Sequence, residues 1–209
     1  MLETDPRAPT AITSRDEARR VHVADSLSGL ELPEIRSAER IADLGAGAGL
    51  PGLVLAAALP GVGFDLIESI GRKCGFMRDA IAAMELANAT VVNARAEAWA
   101  APHAAGRERY DVVTARAVAR LATLAELAAP LLRGGGALVA WKAVPDPEEQ
   151  DEAARAAART GLMPERSVAV DPFEGARRRR LDVLVKAGPT PDGLPRRDGM
   201  AAKRPFGSG

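Results

Sequence analysis

The 209-residue chain is poor in aromatic side chains, cysteine and net charge. Phe, Trp and Tyr together make up 3% of the residues, so Ala, Leu and Val must fill most of the core. The single cysteine, Cys74, excludes a disulfide within the chain and fits a reducing compartment. We expect Cys74 to be a buried, small, apolar side chain without a chemical role. Because 47% of the residues are hydrophobic, the chain is expected to fold as a globular protein.

Long apolar segments suited to a membrane are also lacking. Residues 1–20 are rich in charge and have no apolar centre, which excludes a signal peptide there. Residues 44–64 carry no charge, but their six glycines and two prolines favour a strand, a loop and a short helix over a membrane span. We therefore expect a cytoplasmic protein with no membrane partner.

Charge is balanced overall, with 28 basic and 28 acidic residues, so the total does not imply a nucleic-acid partner. Its distribution is uneven, because residues 177–209 hold nine Lys or Arg and three Asp or Glu. A basic end on an acidic body points weakly to a polyanionic partner, although charge alone slightly favours a solvated tail. The run Arg177–Arg180 would contact phosphates of such a partner in the first interpretation and form a solvated turn in the second.

Strand and helix patterns alternate along the chain. A helix is predicted from Ser14, which forms a capping box with Glu17, to about Leu30. Three glycines, 134–136, are expected to stop the helix before them. Five strands are predicted at 40–44, 63–67, 90–93, 110–114 and 137–141, with helices at 50–59, 71–86, 96–100, 120–132 and 147–160. Two further apolar runs, 167–170 and 181–186, are predicted to form a hairpin.

Repeated strand–helix units with apolar strands indicate an α/β fold with helices on both faces of the sheet. The expected architecture is a Rossmann-like, mostly parallel sheet of seven strands whose C-terminal hairpin is antiparallel. Residues 1–39 are expected to form an N-terminal segment with one helix, and residues 40–187 the main domain. Residues 188–209, rich in Pro, Gly and charge, are predicted to be a basic flexible tail.

A glycine-rich loop follows the first predicted strand and fits two ligand-binding patterns. Gly47, Gly49 and Gly52 satisfy the dinucleotide pattern G-x-G-x-x-G. Asp43, Gly45, Gly47 and Gly49 satisfy the D-x-G-x-G-x-G pattern of enzymes that bind S-adenosylmethionine. A carboxylate repels a pyrophosphate but attracts a sulfonium and an ammonium, so Asp43 favours S-adenosylmethionine.

Acidic residues at the next two strand ends indicate an adenosine ligand. Glu68 ends the second predicted strand, where a carboxylate accepts hydrogen bonds from ribose hydroxyls in nucleotide-binding folds. Ala96 and Glu97 begin the helix after the third strand and could frame an adenine. Dinucleotide-binding proteins share these features, so they support adenosine without choosing between the two ligands.

The fourth strand lacks the residues that several methyl acceptors require. Its sequence from Asp111 to Ala117 contains no Asp/Asn-Pro-Pro-aromatic element for an exocyclic amine, and Cys74 is too remote to be the nucleophile of C5 methylation. An acceptor that needs no deprotonation remains, such as guanine N7, whose lone pair attacks directly. Such an enzyme works mainly by positioning, and no metal is expected.

At this point the chain resembles the RsmG (GidB) family of guanine-N7 methyltransferases of small-subunit ribosomal RNA, from about Thr13 to Ala187 and again in the tail. The Gly-Leu-Pro-Gly ending of the glycine loop is the most specific mark. The matching motifs are Thr13-Ser14, His22–Ser26, Asp43–Gly52, Glu68-Ser69, Arg72-Lys73 with Phe76, Asn93–Glu97, Thr114–Ala117, Trp141-Lys142, and the ending Pro195-Arg196-Arg197 with Lys203–Phe206.

The resemblance implies a class I S-adenosylmethionine-dependent methyltransferase acting on N7 of a guanine in 16S rRNA, with the 30S subunit as partner. It implies cofactor contacts at Gly45, Leu50, Ala96, Glu97 and Arg116. Before Thr13 the chain is shorter than the usual helical segment of the family. We expect a monomer.

Arg116 and Lys142 are the candidate catalytic residues, and both would act by positioning. Arg116 could clamp the methionine carboxylate or an RNA phosphate, or form a salt bridge to a neighbouring helix. Lys142 could contact RNA or the O6 atom of the acceptor base, or be a solvated strand end. His22, next to Asp25, is interpreted as packing over the cofactor or as a core histidine. Trp141 is expected to be a core residue.

Two other functions fit the residues. One is a methyltransferase for another RNA, a small molecule or a protein. The other is a nucleotide-binding module without catalysis, for example one that binds NAD.

Overall fold

A computed structural model describes residues 14–143, 146–176 and 179–207 of the protein. These residues form a seven-stranded sheet. The strands are β1 Arg40–Leu44, β2 Gly63–Glu68, β3 Ala89–Asn93, β4 Tyr110–Arg116, β5 Leu132–Lys142, β6 Leu162–Val170 and β7 Arg179–Lys186. They lie in the order β3-β2-β1-β4-β5-β7-β6, with β1 to β5 parallel to one another and β7 antiparallel to both β5 and β6.

This topology confirms the prediction of a mostly parallel sheet with an antiparallel C-terminal hairpin. The chain order reverses between β1 and β4, and ligands of open α/β sheets bind at the carboxyl ends of the strands at such a point. Helices surround the sheet. They are α1 Arg15–Glu17, α2 Ala24–Leu27, α3 Pro33–Arg36, α4 Gly52–Ala58, α5 Gly71–Ala83, α6 Ala96–Trp99, α7 Leu121–Ala128, α8 Pro147–Ala158 and α9 Met200–Lys203.

Alternate residues of the central strands pack into cores on opposite faces of the sheet, as the two-residue period of a strand requires. Ala42 and Val113 belong to the core beneath α7 and α8. Ile41 and Val112 belong to the core on the other face, which includes Trp141. The buried position of Trp141 confirms the expectation for that residue. Among the described residues, no helix combines the length and apolar character required to cross a membrane.

The N-terminal helical segment differs in form from the single helix predicted for residues 14–30. The backbone amide of Glu17 donates to Ser14 Oγ at 3.4 Å, so the predicted capping contact is present. Beyond α1 the chain forms a π-helix over Ala18–Val23, then α2, then a 3₁₀-helix over Ser28–Glu31. Trp141 Nε1 donates to the carbonyl of Asp25 at 2.8 Å and so holds this segment against the end of β5.

The helix predicted over 120–132 is too long, and the three glycines do not stop it. Helix α7 ends at Ala128, two residues before Pro130, because proline has no N–H group with which to continue the helical hydrogen bonds. The three glycines lie inside β5, opposite an irregularity in the pairing of β4 between Tyr110 and Val112. Gly136 is closely surrounded, since a Cβ atom there would lie 2.9 Å from two carbonyl oxygens of β4.

The end of the chain also differs from the flexible tail of the prediction. The described residues 188–207, called here the C-terminal segment, lie against α6, α7 and α8. Arg196 binds Glu126 of α7 through two hydrogen bonds of 2.5 and 2.6 Å. The ring of Phe206 lies between the guanidinium groups of Arg159 and Arg196, at 4.1 and 4.2 Å from its centroid. Specific charge pairs and a cation–π contact therefore order a segment whose composition alone suggests a tail.

Candidate active site

Two cavities open at the carboxyl ends of the parallel strands, and Gly45 lines both of them. The larger, of about 630 Å³, is bounded by the glycine loop and the N-terminal segment, with Arg116 and Lys142 at the ends of β4 and β5. The smaller, of about 170 Å³, is lined by Glu68 and by the start of α6. The predicted site residues therefore meet at the expected edge of the sheet.

The glycine loop has a backbone that suits its three alternating glycines. Gly45, Gly47 and Gly49 have φ angles of 66°, 60° and 82°, in the left-handed region that other residues avoid. A Cβ atom on Gly49 would lie 2.2 Å from Leu53 Cδ1, so Gly49 shapes the loop by packing. Among the described residues other than its two chain neighbours, a Cβ atom on Gly47 would have only the carbonyl oxygen of Gly45 within 4 Å, at 3.7 Å. Gly47 and Leu50 line the larger cavity, and the loop leaves room there for a ligand.

Asp43 lies beneath this loop instead of facing a cavity. Its carboxylate is 1% exposed and accepts hydrogen bonds from the amide of Gly52 at 2.9 Å and from Thr114 Oγ1 at 2.9 Å. Burial raises the pKa of Asp43 to about 6, against the lowering effects of these two hydrogen bonds and of Arg116. Asp43 thus fixes the start of α4 to β1 and β4. This geometry does not favour the expected direct contact between Asp43 and a cofactor.

The position of Asp43 requires a glycine at position 52, the last glycine of the loop. A Cβ atom on Gly52 would lie 2.3 Å from Leu66 Cδ2 and 2.7 Å from Asp43 Oδ2. Any side chain there would push the carboxylate away from the amide that it holds.

Glu68 ends β2 and lines the smaller cavity. Its Oε2 atom accepts from the amide of Gly47 at 3.2 Å, and its Oε1 atom accepts from the amide of Ile70 at 2.9 Å. Lys73 Nζ lies 3.7 Å from Oε2. The carboxylate therefore joins the end of β2 to the glycine loop while it borders the cavity where the sequence placed a ribose.

The start of α6 forms another wall of the smaller cavity. Ala96 and Glu97 are both buried, as a pair framing an adenine would be. Glu97 Oε1 accepts a hydrogen bond of 2.8 Å from the amide of Gly199 in the C-terminal segment. No local sequence pattern predicts this partner, which lies 102 residues away along the chain.

Arg116 forms a buried ion pair at the wall of the larger cavity. Its Nη1 atom donates to Asp25 Oδ2 at 2.9 Å, and the two side chains are 13% and 7% exposed. The salt bridge to a neighbouring helix, one of the two interpretations, is therefore present, and Arg116 also borders the cavity. The other oxygen, Asp25 Oδ1, is buried without a hydrogen-bond partner among the described residues.

Lys142 is paired in a similar way on the other side of the cavity. Its Nζ atom donates to Glu149 Oε1 at 2.5 Å and to the carbonyl of Ala119 at 3.4 Å. The same carboxylate oxygen accepts from the amide of Leu121 at 2.8 Å, so it also caps the start of α7. Lys142 is 17% exposed and lines the cavity, which rules out a solvated strand end.

His22 borders the larger cavity together with Asp25 and Arg116. Burial, and then the nearby Arg116 charge, lower the pKa of His22 below its usual value and so favour the neutral imidazole. Its position fits the interpretation that it packs over a ligand.

The arginine run divides into residues of different kinds. Arg177 and Arg178 lie outside the described residues. Arg179 begins β7 and lines the larger cavity. Arg180 is 5% exposed and donates to both oxygens of Asp182, at 2.9 and 3.0 Å, so neither the phosphate contact nor the solvated turn fits Arg180.

Cys74 is fully buried and its Sγ atom donates to the carbonyl of Glu68 at 3.3 Å, which confirms the expectation of a buried thiol. Within the described ranges, no group of three or more His, Cys, Asp or Glu side chains could hold a metal ion.

Comparisons with known proteins agree with this geometry. The family model for rRNA small subunit methyltransferase G (GidB) matches residues 8–175. The chain belongs to the rRNA small subunit methyltransferase G family. The ribosomal RNA small subunit methyltransferase G of Rubrobacter xylanophilus is 46% identical over 191 residues, which cover 90% of this chain and 73% of that protein. The protein of the same name from Roseiflexus castenholzii is 42% identical over 199 residues, covering 94% and 83%.

Solved structures support the class I methyltransferase fold of this family member. TYW2 from Pyrococcus horikoshii in complex with MeSAdo superposes with a TM-score of 0.60 at 17% identity, over 78% of this chain and 62% of that one. A predicted O-methyltransferase from Agrobacterium tumefaciens gives a TM-score of 0.59 at 23% identity, over 80% and 82%. The chain is therefore an rRNA methyltransferase by family and a class I methyltransferase by fold.

Proposed function

We propose that this protein transfers a methyl group from S-adenosylmethionine to N7 of a guanine in 16S rRNA, acting as a cytoplasmic monomer on the 30S subunit. The observation that carries the proposal is the pair of cavities that meet at Gly45. Carboxylates border the smaller cavity, and Arg116 and Lys142 border the larger one. One elongated ligand with an adenosine end and an amino-acid end suits this distribution of charge.

The described residues fit the cofactor. Glu68 and Glu97 place carboxylate oxygens at the smaller cavity, where ribose hydroxyls and an adenine amino group are the donors to be bound. Gly45, Gly47 and Leu50 line the larger cavity beside Arg116, whose planar guanidinium suits the methionine carboxylate. Asp43 and Gly49 line neither cavity: both hold the loop, and Asp43 also places a carboxylate beneath it. When bound, S-adenosylmethionine supplies an electrophilic methyl group on a sulfonium.

The acceptor side of the cavity suits a base that needs positioning but no deprotonation. N7 of guanine attacks through its own lone pair, so the protein has to hold the ring in line with the methyl group, an effect of roughly 7–11 kcal/mol in favourable cases. Lys142 lies beside this space and is fixed by Glu149. Its ammonium can donate to guanine O6, which neighbours N7 on the same edge of the base.

The direct test supplies radiolabelled S-adenosylmethionine and the protein to 30S subunits that lack the modification, with naked 16S rRNA and 50S subunits in parallel. Label is expected in 16S rRNA of the 30S subunit, at a single guanine that becomes sensitive to reduction and aniline cleavage. A protein that binds S-adenosylhomocysteine but labels no 16S rRNA would refute the proposal.

Arg179 is expected to contact a phosphate of the RNA, because it is the described member of the arginine run that borders the cavity. Replacing it with alanine should lower the slope of log K against log salt concentration for subunit binding by about 1. Arg133→Ala is the matched control, since this exposed arginine is the second residue of β5, at the opposite end of the strand from Lys142, and pairs with Asp111. An equal slope for wild type and Arg179→Ala would exclude the phosphate contact.

A further inference from the structure

The C-terminal segment forms a wall of the smaller cavity. Gly199 and Ala202 line this cavity together with Glu68, Ala96 and Glu97. The resemblance included the ending Pro195-Arg196-Arg197 with Lys203–Phe206, but the function described so far assigns it no role. Its residues lie where the proposed adenosine would bind.

Hydrogen bonds to α7 hold this wall in place. Arg196 binds both oxygens of Glu126 on α7, whose side chain is 2% exposed, and donates to the carbonyl of Arg204 at 2.7 Å. Thr123 Oγ1 of the same helix donates to the carbonyl of Ala201 at 3.2 Å. The two-pronged pair with Glu126 is a buried, charge-assisted contact of the stronger kind. It fixes the residues on either side of α9.

One hydrogen bond joins this wall directly to Glu97, a candidate cofactor-binding residue. The amide of Gly199 donates to Glu97 Oε1 at 2.8 Å. Gly199 has a φ angle of 75°, a conformation that favours glycine. The bond occupies one oxygen of the carboxylate and sets the direction of the other, Oε2. A carboxylate held this way selects a ligand that presents an N–H donor.

We propose that the C-terminal segment completes the adenosine subsite, and that the Gly199 amide orients Glu97 to accept a hydrogen bond from the 6-amino group of adenine. The proposal rests on S-adenosylmethionine being the methyl donor. Gly199 is a positioning residue in it, and Arg196 anchors the segment from outside the cavity.

The test compares two probes on the full chain by calorimetry: S-adenosylhomocysteine and S-inosylhomocysteine, whose base carries an oxygen in place of the 6-amino group. Wild type is expected to bind the adenine form at least about tenfold more tightly, because the inosine oxygen faces a carboxylate. Arg196→Ala should weaken binding of S-adenosylhomocysteine about tenfold and bring the two affinities close together. Arg197→Ala, an exposed neighbour, is the matched control and should behave as wild type.

If Arg196→Ala fails to fold, Ala202→Phe is the second variant that tests the proposal. Ala202 is exposed and lines the cavity, so the larger ring should weaken binding about tenfold while the melting temperature stays unchanged. Unchanged affinity in both variants overturns the proposal, and so does lost affinity with the adenine preference retained. Failure of wild type to bind S-adenosylhomocysteine would instead refute the proposed methyl donor.

Discussion

Arg116→Ala should lower methyl transfer to 30S subunits by about a hundredfold or more and destabilise the fold by about 3–5 kcal/mol. The guanidinium borders the larger cavity and forms an ion pair with the carboxylate of Asp25, whose side chain is 7% exposed. Asp25 Oδ1 already has no hydrogen-bond partner among the described residues, so losing Arg116 would leave a buried charge uncompensated. Turnover with labelled S-adenosylmethionine and urea unfolding measure the two effects.

The Arg116→Lys variant separates the contribution of Arg116 to methyl transfer from its contribution to the stability of the fold. Arg116→Lys keeps the positive charge beside Asp25 but loses the planar fork, so most of the stability should return and most of the activity should not. The control, Arg133→Ala, removes an arginine whose side chain is 56% exposed, at the other end of the sheet. It should cost at most about 1 kcal/mol and leave turnover unchanged. A normal rate for Arg116→Ala would remove Arg116 from the site.

The elements that the sequence predicts well are those that local patterns determine. Strand β1 has the predicted bounds, Arg40–Leu44, because a short apolar run ends directly at the first glycine of the loop. The end of α7 was missed because its alanine-rich pattern continues past the helix, while Pro130 breaks it earlier. The glycines expected to stop that helix instead belong to β5, whose pairing with β4 no local pattern records.

The site shows the same division. The glycine loop and Glu68 could be placed from the sequence, because each follows a strand that the pattern identifies. The pair of Arg116 with Asp25 joins residues 91 positions apart, and only the folded sheet brings them together. The C-terminal segment was misjudged from its composition, since a few specific pairs such as Arg196 with Glu126 order it.

Asp43→Asn is expected to make the protein more stable at neutral pH while weakening cofactor binding. The unfolded carboxyl ionises near its ordinary pKa of 3.8, whereas burial raises the folded pKa to about 6. The folded state of wild type therefore loses stability as the pH rises between these values, by about 3 kcal/mol in total, and does not regain it above pH 6. The neutral amide has no such penalty, so the difference between the variant and wild type should grow across this range.

The asparagine can also keep the loop in place. The oxygen of the asparagine side chain can accept from the Gly52 amide, and its amino group can donate to Thr114 Oγ1. The hydroxyl of Thr114 can then donate to the carbonyl of Ala42, which lies 3.4 Å away. Asp43→Ala is the contrasting variant, because it leaves both donors without the carboxylate and should cost about 1–3 kcal/mol.

Binding of S-adenosylhomocysteine and S-adenosylmethionine to the two variants separates the roles of Asp43. If the carboxylate acts through its charge, Asp43→Asn should bind S-adenosylmethionine about tenfold more weakly, a loss of about 1.4 kcal/mol. Binding of S-adenosylhomocysteine, which lacks the sulfonium charge, should change less. Equal affinities of Asp43→Asn and wild type for both ligands would show that the carboxylate serves the loop alone, and the charge argument that first favoured a sulfonium would then be wrong.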